Sequence, residues 1–358
     1  MFLHSLANVV PDQRLTQPEC WEVLRQSPAL RQLRPGSRAL LEKILTGDSG
    51  IETRHFAAGD LDRIFDLDAE SLNHAFEREA PALAERALRA ALAEAKLAPT
   101  DLDALIICTC TGYLCPGLSS FVAERVGLHP DSFLQDLVGQ GCGAAIPALR
   151  SVSHLLAARP TARVALVAVE ICSAAFYLDD DPGVLISLCL FADGASASIW
   201  NGQPDPTRLR CDNFDTLHYP ADRESIRFEN CGGKLRNKLD KTVPESAARA
   251  VRALFARQKG SADKIGRVLA HGGGKKVLEA VGAALDDRFE LAESTAVLRR
   301  YGNMSSPSVL FALGEFLKAP PAPGKRDDLW LTSYGAGFSA HACRLTARPK
   351  ITPTAGIC

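Results

Sequence analysis

Cys142 lies in the segment Val138-Gly139-Gln140-Gly141-Cys142-Gly143-Ala144-Ala145, after the apolar run Phe133 to Val138 and before the helical pattern Ile146 to Ala158. A thiol at the tip of a strand-to-helix turn is a candidate nucleophile. Flanking glycines let a substrate approach the backbone, and the free N–H groups and dipole of the helix favour a thiolate. Two further polar residues sit in comparable settings. His271 follows the strand-like Val268-Leu269-Ala270 and opens Gly272-Gly273-Gly274-Lys275, and Asn303 lies in Tyr301-Gly302-Asn303-Met304-Ser305-Ser306. A thiolate activated by an imidazolium, beside a carboxamide that donates at any working pH, is equipment for chemistry on a thioester. Taken singly, each has a plainer reading: a buried Cys as a small core residue, a His as a loop residue, an Asn as a turn or helix cap.

The elements that must position these groups alternate. Helical patterns run over Ala75 to Leu97, Leu118 to Val126, Ala144 to Ala158, Pro244 to Gln258, Lys275 to Leu285 and Ser306 to Leu317. Strand patterns run over Ala104 to Cys108, Phe133 to Val138, Ala162 to Val169, Ala195 to Trp200, Arg267 to Ala270, Leu329 to Ser333 and Phe338 to Leu345. Such alternation predicts an α/β fold. The Pro-rich segment from Asn201 to Pro206 predicts a boundary, giving an N-terminal half 1–205 with the Cys and a C-terminal half 206–358 with the His and Asn. The stretch Phe214 to Lys241 reads as polar and irregular, lining a cleft, and 319–324 as a surface connection.

With 358 residues, 46% hydrophobic and 23% charged, the chain can bury a large core. A net charge of −1 offers no footprint for nucleic acid, and no apolar run reaches the roughly 18 residues of a membrane span, so a cytoplasmic protein is expected. Eleven cysteines, many within apolar runs, point to reduced thiols. Cys108, Cys110 and Cys115 lack the CxxC or His partners of a zinc site, and Asp179-Asp180-Asp181 reads as a solvated loop, so no metal is expected.

Taken together, the Gly-Gln-Gly-Cys142-Gly, His271-Gly-Gly-Gly, Tyr-Gly-Asn303-Met-Ser-Ser and Leu190-Phe191-Ala192-Asp193-Gly194-Ala195 segments resemble those of bacterial type III polyketide synthases, in the chalcone synthase superfamily. The resemblance implies a layered αβαβα thiolase fold of two similar halves. It implies an acyltransferase that needs no cofactor, loads an acyl starter on Cys142 and extends it by iterative decarboxylative Claisen condensation with malonyl-CoA, ending in a pyrone or phenol. His271 and Asn303 would stabilise the enolate. It further implies gatekeepers at Phe191 and Phe228, cavity positions at Thr111, Cys172, Ala175 and Ser305, and a cyclisation loop at Ser333 to Gly337. A homodimer is also implied, in which Cys115, joined to the following Pro116 by a cis bond, reaches into the partner's cavity. Cys172 and Ala175 are smaller than the threonines of plant members, which points to room for a longer acyl chain.

The usual basic clamp for CoA is missing from Leu41 to Asp48, where Lys43 is the only base. Arg38, Lys43, Lys275 or Lys276 would have to serve, or an acyl carrier protein would deliver the starter. Two other readings stay open. A ketoacyl synthase III would perform one condensation. From a different class, a nicotinamide-dependent oxidoreductase would use Gly139-Gln140-Gly141-Cys142-Gly143-Ala144 as a GxGxxA turn, with Glu170 on the ribose.

Overall fold

The computed structural model describes residues 1–59, 61–258, 262–319 and 328–346. The connection at 320–324 falls outside them. Thirteen strands occur in chain order among the described residues: β1 (Phe2–Val9), β2 (Gln13–Thr16), β3 (Thr53–Phe56), β4 (Ala104–Thr109), β5 (Phe133–Val138), β6 (Val164–Glu170), β7 (Gly194–Asn201), β8 (Arg210–His218), β9 (Ile226–Cys231), β10 (Lys234–Leu239), β11 (Ile265–Ala270), β12 (Asp328–Gly335) and β13 (Ser339–Thr346). Nine of them form one sheet in the order β11-β12-β13-β8-β1-β7-β6-β4-β5.

One connectivity occurs twice in that sheet. β4 runs parallel to β6, which pairs antiparallel with β7 and then β1. In the same way β11 runs parallel to β12, which pairs antiparallel with β13 and then β8. The two sets join where Phe2 of β1 faces Arg210 of β8.

Buried strands alternate between two cores, which is why they read as unbroken apolar runs rather than as alternating ones. Leu105 and Ile107 face the helix Ala69–Ala95, while Ile106 and Cys108 face the other side. There the helices Ala145–Ala158 and Ser308–Lys318 share one core with Leu166 from the first set of strands and with Leu269, Leu331 and Leu345 from the second. Trp330 and Ala342 face away from it, toward the helices Val243–Phe255 and Lys275–Ala284. The layers are therefore helix, sheet, helix, sheet, helix, as expected of the thiolase-like architecture.

The helix Ala69–Ala95 starts one and a half turns before the expected Ala75. The Asp68 carboxylate accepts from the Ser71 N–H at 2.8 Å and caps the first turn. Leu118–Val126 and Phe133–Val138 match expectation. The irregular stretch expected over Phe214 to Lys241 needs correcting, because most of it is strand. β9 and β10 form a hairpin whose two-residue turn, Gly232-Gly233, has positive φ at both positions (59° and 81°). Glycine adopts that geometry without cost, and it is the geometry that matches strand twist. Asp179 to Asp181 form the expected, partly exposed loop, and it is tied down by ion pairs. Asp179 and Asp181 grip Arg236 of β10 at 2.8 and 3.1 Å, and Asp181 also caps the helix Pro182–Leu190.

Candidate active site

Cys142 occupies a single 3-10 turn, Gly141–Gly143, between β5 and the helix Ala145–Ala158. Gly139 and Gly141 have φ of 79° and 58°. A Cβ on Gly141 would lie 2.9 Å from the Ala336 nitrogen, and one on Gly335 would lie 2.9 Å from the Cys142 nitrogen. The turn is thus pressed backbone to backbone against the loop after β12, and Ser333 Oγ fastens it by donating to the Gly143 carbonyl at 2.9 Å.

His271 continues β11, its N–H donating to the Thr332 carbonyl of the neighbouring strand at 2.9 Å. Tyr334 holds it from β12. The phenol donates to the His271 carbonyl at 2.6 Å, and its ring meets the imidazole edge to face with centroids 5.4 Å apart. Asn303 is tied to the Phe191 segment, donating its N–H to the Leu190 carbonyl and accepting from the Ala192 N–H, each at 2.9 Å. Its Oδ1 accepts from the Ser305 N–H at 2.8 Å, so Nδ2 is the end turned toward the His271 loop, where it donates to the Gly273 carbonyl at 3.3 Å. A carboxamide nitrogen carries two hydrogens, which leaves one for a ligand.

Ser305 links these stretches. Its hydroxyl lies 3.3 Å from Cys142 Sγ, 3.2 Å from Cys110 Sγ and 3.4 Å from Glu170 Oε1. Its φ of +58° is unusual for a non-glycine residue and turns the side chain back toward the thiol. The structure therefore gathers all three predicted residues into one buried region: Cys142 and Asn303 through Ser305, and His271 and Asn303 through Gly273.

Burial pushes the Cys142 thiol up to about 12 and the His271 imidazole down to about 3. The turn context predicts a thiolate beside an imidazolium, but desolvation outweighs the turn's dipole and the folded chain holds the neutral pair. Among the described residues neither imidazole nitrogen makes a hydrogen bond, and Nδ1 is fully buried. An imidazole whose nitrogens are both unspent among the described residues can hydrogen-bond to a thioester brought beside it.

A cavity of about 250 Å³ opens at Cys142. Of the expected lining residues, Thr111, Cys172, Ala175, Phe191, Phe228 and Ser305 are there. Gly337 is not, its neighbour Ala336 taking the place, and Cys115 is exposed elsewhere, joined to the following Pro116 by a cis bond. His271 and Asn303 stand behind the lining. The volume lies below the roughly 300–1,000 Å³ of sites for drug-sized ligands.

Sequence reasoning missed Glu170 as a member of this site. It ends β6, fully buried, and Oε2 accepts from Thr109 Oγ1 (3.1 Å), the Cys110 N–H (2.9 Å), the Thr111 N–H (3.1 Å) and Thr111 Oγ1 (2.8 Å), while Oε1 accepts from Ser306 Oγ at 2.6 Å. Burial raises its pKa. A carboxylate so enclosed cannot reach a ribose, so the dinucleotide reading loses its acid. The pattern Thr109-Cys110-Thr111 opposite Ser305-Ser306 was the available signal. Asp193, just before the neighbouring strand β7, has a similar role, accepting from the N–H groups of Ala57 (2.7 Å) and Ser173 (2.8 Å). Burial lifts its carboxyl to about 7.

Residues 9–211 match the FAE1/Type III polyketide synthase-like protein family. The chain belongs to the type III polyketide synthase family. It is 31% identical over 351 residues to a 1,3,6,8-tetrahydroxynaphthalene synthase of Streptomyces peucetius subsp. caesius, covering 94% of this chain and 90% of that one. It is 35% identical over 238 residues to a 3,5-dihydroxyphenylacetyl-CoA synthase of Amycolatopsis orientalis, covering 63% of this chain and 64% of that one. The crystal structure of PKS-I from the brown alga Ectocarpus siliculosus superposes with a TM-score of 0.87 at 25% identity, over 97% of this chain and 98% of that one. Type III polyketide synthases are acyltransferase-type condensing enzymes, and this membership removes the oxidoreductase alternative. Among the described residues no helix is long and apolar enough to cross a membrane, and no cluster of His, Cys, Asp or Glu is arranged to hold a metal.

Proposed function

We propose that this synthase loads an acyl starter from a thioester onto Cys142 and extends it with malonyl-CoA. As Cys142 Sγ bonds to the acyl carbon, its proton passes to His271 and from there to the sulfur of CoA, which leaves as its thiol. Malonyl-CoA then loses carbon dioxide, and the electron pair of the broken C–C bond moves into the thioester carbonyl, where His271 and the spare Asn303 donor meet the growing negative charge. That carbonyl is itself the electron sink, so the reaction needs no cofactor. The enolate carbon attacks the acyl-Cys142 carbonyl, a C–C bond forms and Cys142 sulfur leaves as its thiolate, which then takes the lengthened chain back from CoA for the next round. Repetition and ring closure give a phenol or pyrone, and the phenolic products named for the two relatives favour the phenol. The observation that carries this reading is that Cys142, which lines a small apolar cavity, is linked through Ser305 to Asn303, and Asn303 through Gly273 to the His271 loop.

Incubation with malonyl-CoA and a panel of acyl-CoA starters, with products identified by mass spectrometry, tests it. Cyclised products built from a starter and several malonyl units are expected. A single-extension product from every starter would favour the ketoacyl synthase III alternative.

Delivery of the thioester has fewer bases to draw on than expected. Asp48 neutralises Lys275 across 2.6 Å, whereas Lys43 and Lys276 are exposed and make no ion pair among the described residues. Those two, together with the half-buried Arg38, which also makes no ion pair among the described residues, are the bases left for the CoA phosphates or for an acidic carrier protein.

A homodimer belongs to the same reading. β5 ends the sheet and exposes Phe133, Leu134 and Val138, and Tyr113 stands 73% exposed close in sequence to Cys115. An apolar sheet edge of this kind calls for a covering partner. Light scattering should give twice the mass of the chain, and Val138→Glu should shift it to the monomer. A monomeric wild type would refute the dimer.

A further inference from the structure

The β9–β10 hairpin forms one wall of the cavity, and its two faces differ in chemistry. Opposed residues of an antiparallel pair share a face, and every second residue along a strand returns to it. Phe228 opposes Asn237 and Ile226 opposes Leu239, and Ile226, Phe228 and Asn237 line the cavity. The intervening Arg227, Glu229, Arg236 and Lys238 are joined to one another and to Glu224, Asp179 and Asp181 in ion pairs, and of these Arg227 also borders the cavity. Asn237 thus interrupts an apolar wall, between Leu235 and Leu239 on its own strand and opposite Phe228. It is only 8% exposed, and its carboxamide makes no hydrogen bond to any described residue. By contrast Asn230, on the same face at the turn, is satisfied by the Gly233 N–H at 3.0 Å. The amide is not sealed in the protein but opens into the cavity, with its donors and acceptor unspent among the described residues. A leucine would fit this wall, so the amide calls for an oxygen that arrives with the substrate.

The geometry points to Asn237 as a specificity-determining residue that donates a hydrogen bond to a keto oxygen of the bound acyl group, so that the cavity favours a 3-oxoacyl chain over the saturated chain of equal length. This rests on the acyl-loading reading above. Each malonyl extension leaves such an oxygen two carbons from the thioester, so the same contact would hold the growing chain extended until the next condensation.

The test is competitive loading of the full-length enzyme with 3-oxobutanoyl-CoA and butanoyl-CoA, the occupancy of Cys142 by each being read from intact-protein mass. Because the two thioesters differ in reactivity, the quantity that matters is the change in their loading ratio. Asn237→Leu should lower the oxoacyl preference by about tenfold or more, the usual effect of removing a buried hydrogen-bond partner, while butanoyl loading stays within about twofold. Asn237→Ser, which keeps a shorter donor, should fall between, and it serves as the deciding variant should the leucine variant fold poorly. A loading ratio identical in wild type and variant overturns the assignment of Asn237 and leaves acyl loading intact. Failure of the wild type to load either thioester overturns the loading reading itself, and this inference with it.

Discussion

Cys142→Ala abolishes covalent acylation: exposed to any acyl-CoA the wild type accepts, the variant shows no mass increase, and polyketide formation falls below detection. The expectation follows from the thiol's surroundings. Cys110 and Cys172 also line the cavity, and Cys110 reaches the same Ser305 hydroxyl at 3.2 Å, so substitute nucleophiles are at hand. Burial raises all three thiols, Cys142 included, so protonation does not single out the nucleophile. Only Cys142 sits on a turn with glycines on both sides, where a thioester carbon can approach. Acylation that persists in Cys142→Ala and maps to Cys110 or Cys172 would reassign the nucleophile.

The second large effect is expected at Asn303. Losing one prearranged donor to a developing oxyanion typically slows the step it serves by about 100- to 1,000-fold. Asn303→Ala should slow decarboxylation of malonyl-CoA by that order while starter loading on Cys142 changes by less than about threefold. The variant also deprives the Ser305 N–H of its acceptor, so a purely structural loss has to be separated from a catalytic one. Asn303→Asp does so, since it keeps an acceptor for Ser305 and removes the Nδ2 donor. It should fail at decarboxylation at least as badly as the alanine variant. Recovery of decarboxylation in Asn303→Asp would place the residue's role in holding Ser305. His271→Ala, by contrast, should impair both half-reactions, because the imidazole takes a proton in one and donates in the other.

Several of these features could be read from the linear chain, for local reasons. Cys142, His271 and Asn303 each lie on glycine-bearing loops at the ends of regular elements, and punctuation of that kind survives without tertiary context. Leu118–Val126 and Phe133–Val138 stand between clear breakers and kept their limits. What escaped notice depended on distant contacts. β1 occupies the middle of the sheet between β7 and β8, yet Phe2–Val9 mixes His, Ser and Asn with its apolar residues, and only pairing with strands far along the chain makes it a strand. Glu170 looked like the acid at the end of a nucleotide-binding strand because the groups that enclose it come from 109–111 and 305–306. The β9–β10 hairpin was within reach, since Gly232-Gly233 flanked by alternating residues is a turn signal, but its charged outer face disguised it as loop. Protonation at the centre could not be read at all: the turn argues for a thiolate, and only the depth of burial reverses that.

The way Glu170 is enclosed bears on how this synthase could be redesigned. Thr111 and Ser305 border the substrate, but their hydroxyls also serve a carboxylate that has no water to fall back on. Trimming either one would remove one of the donors that hold the buried Glu170 carboxylate, at a cost of about 1–3 kcal/mol. Ala175, Val184 and Phe228 border the same space and hold nothing else in place through polar contacts. An engineer seeking new chain lengths should diversify those three and leave the hydroxyl-bearing positions as they are.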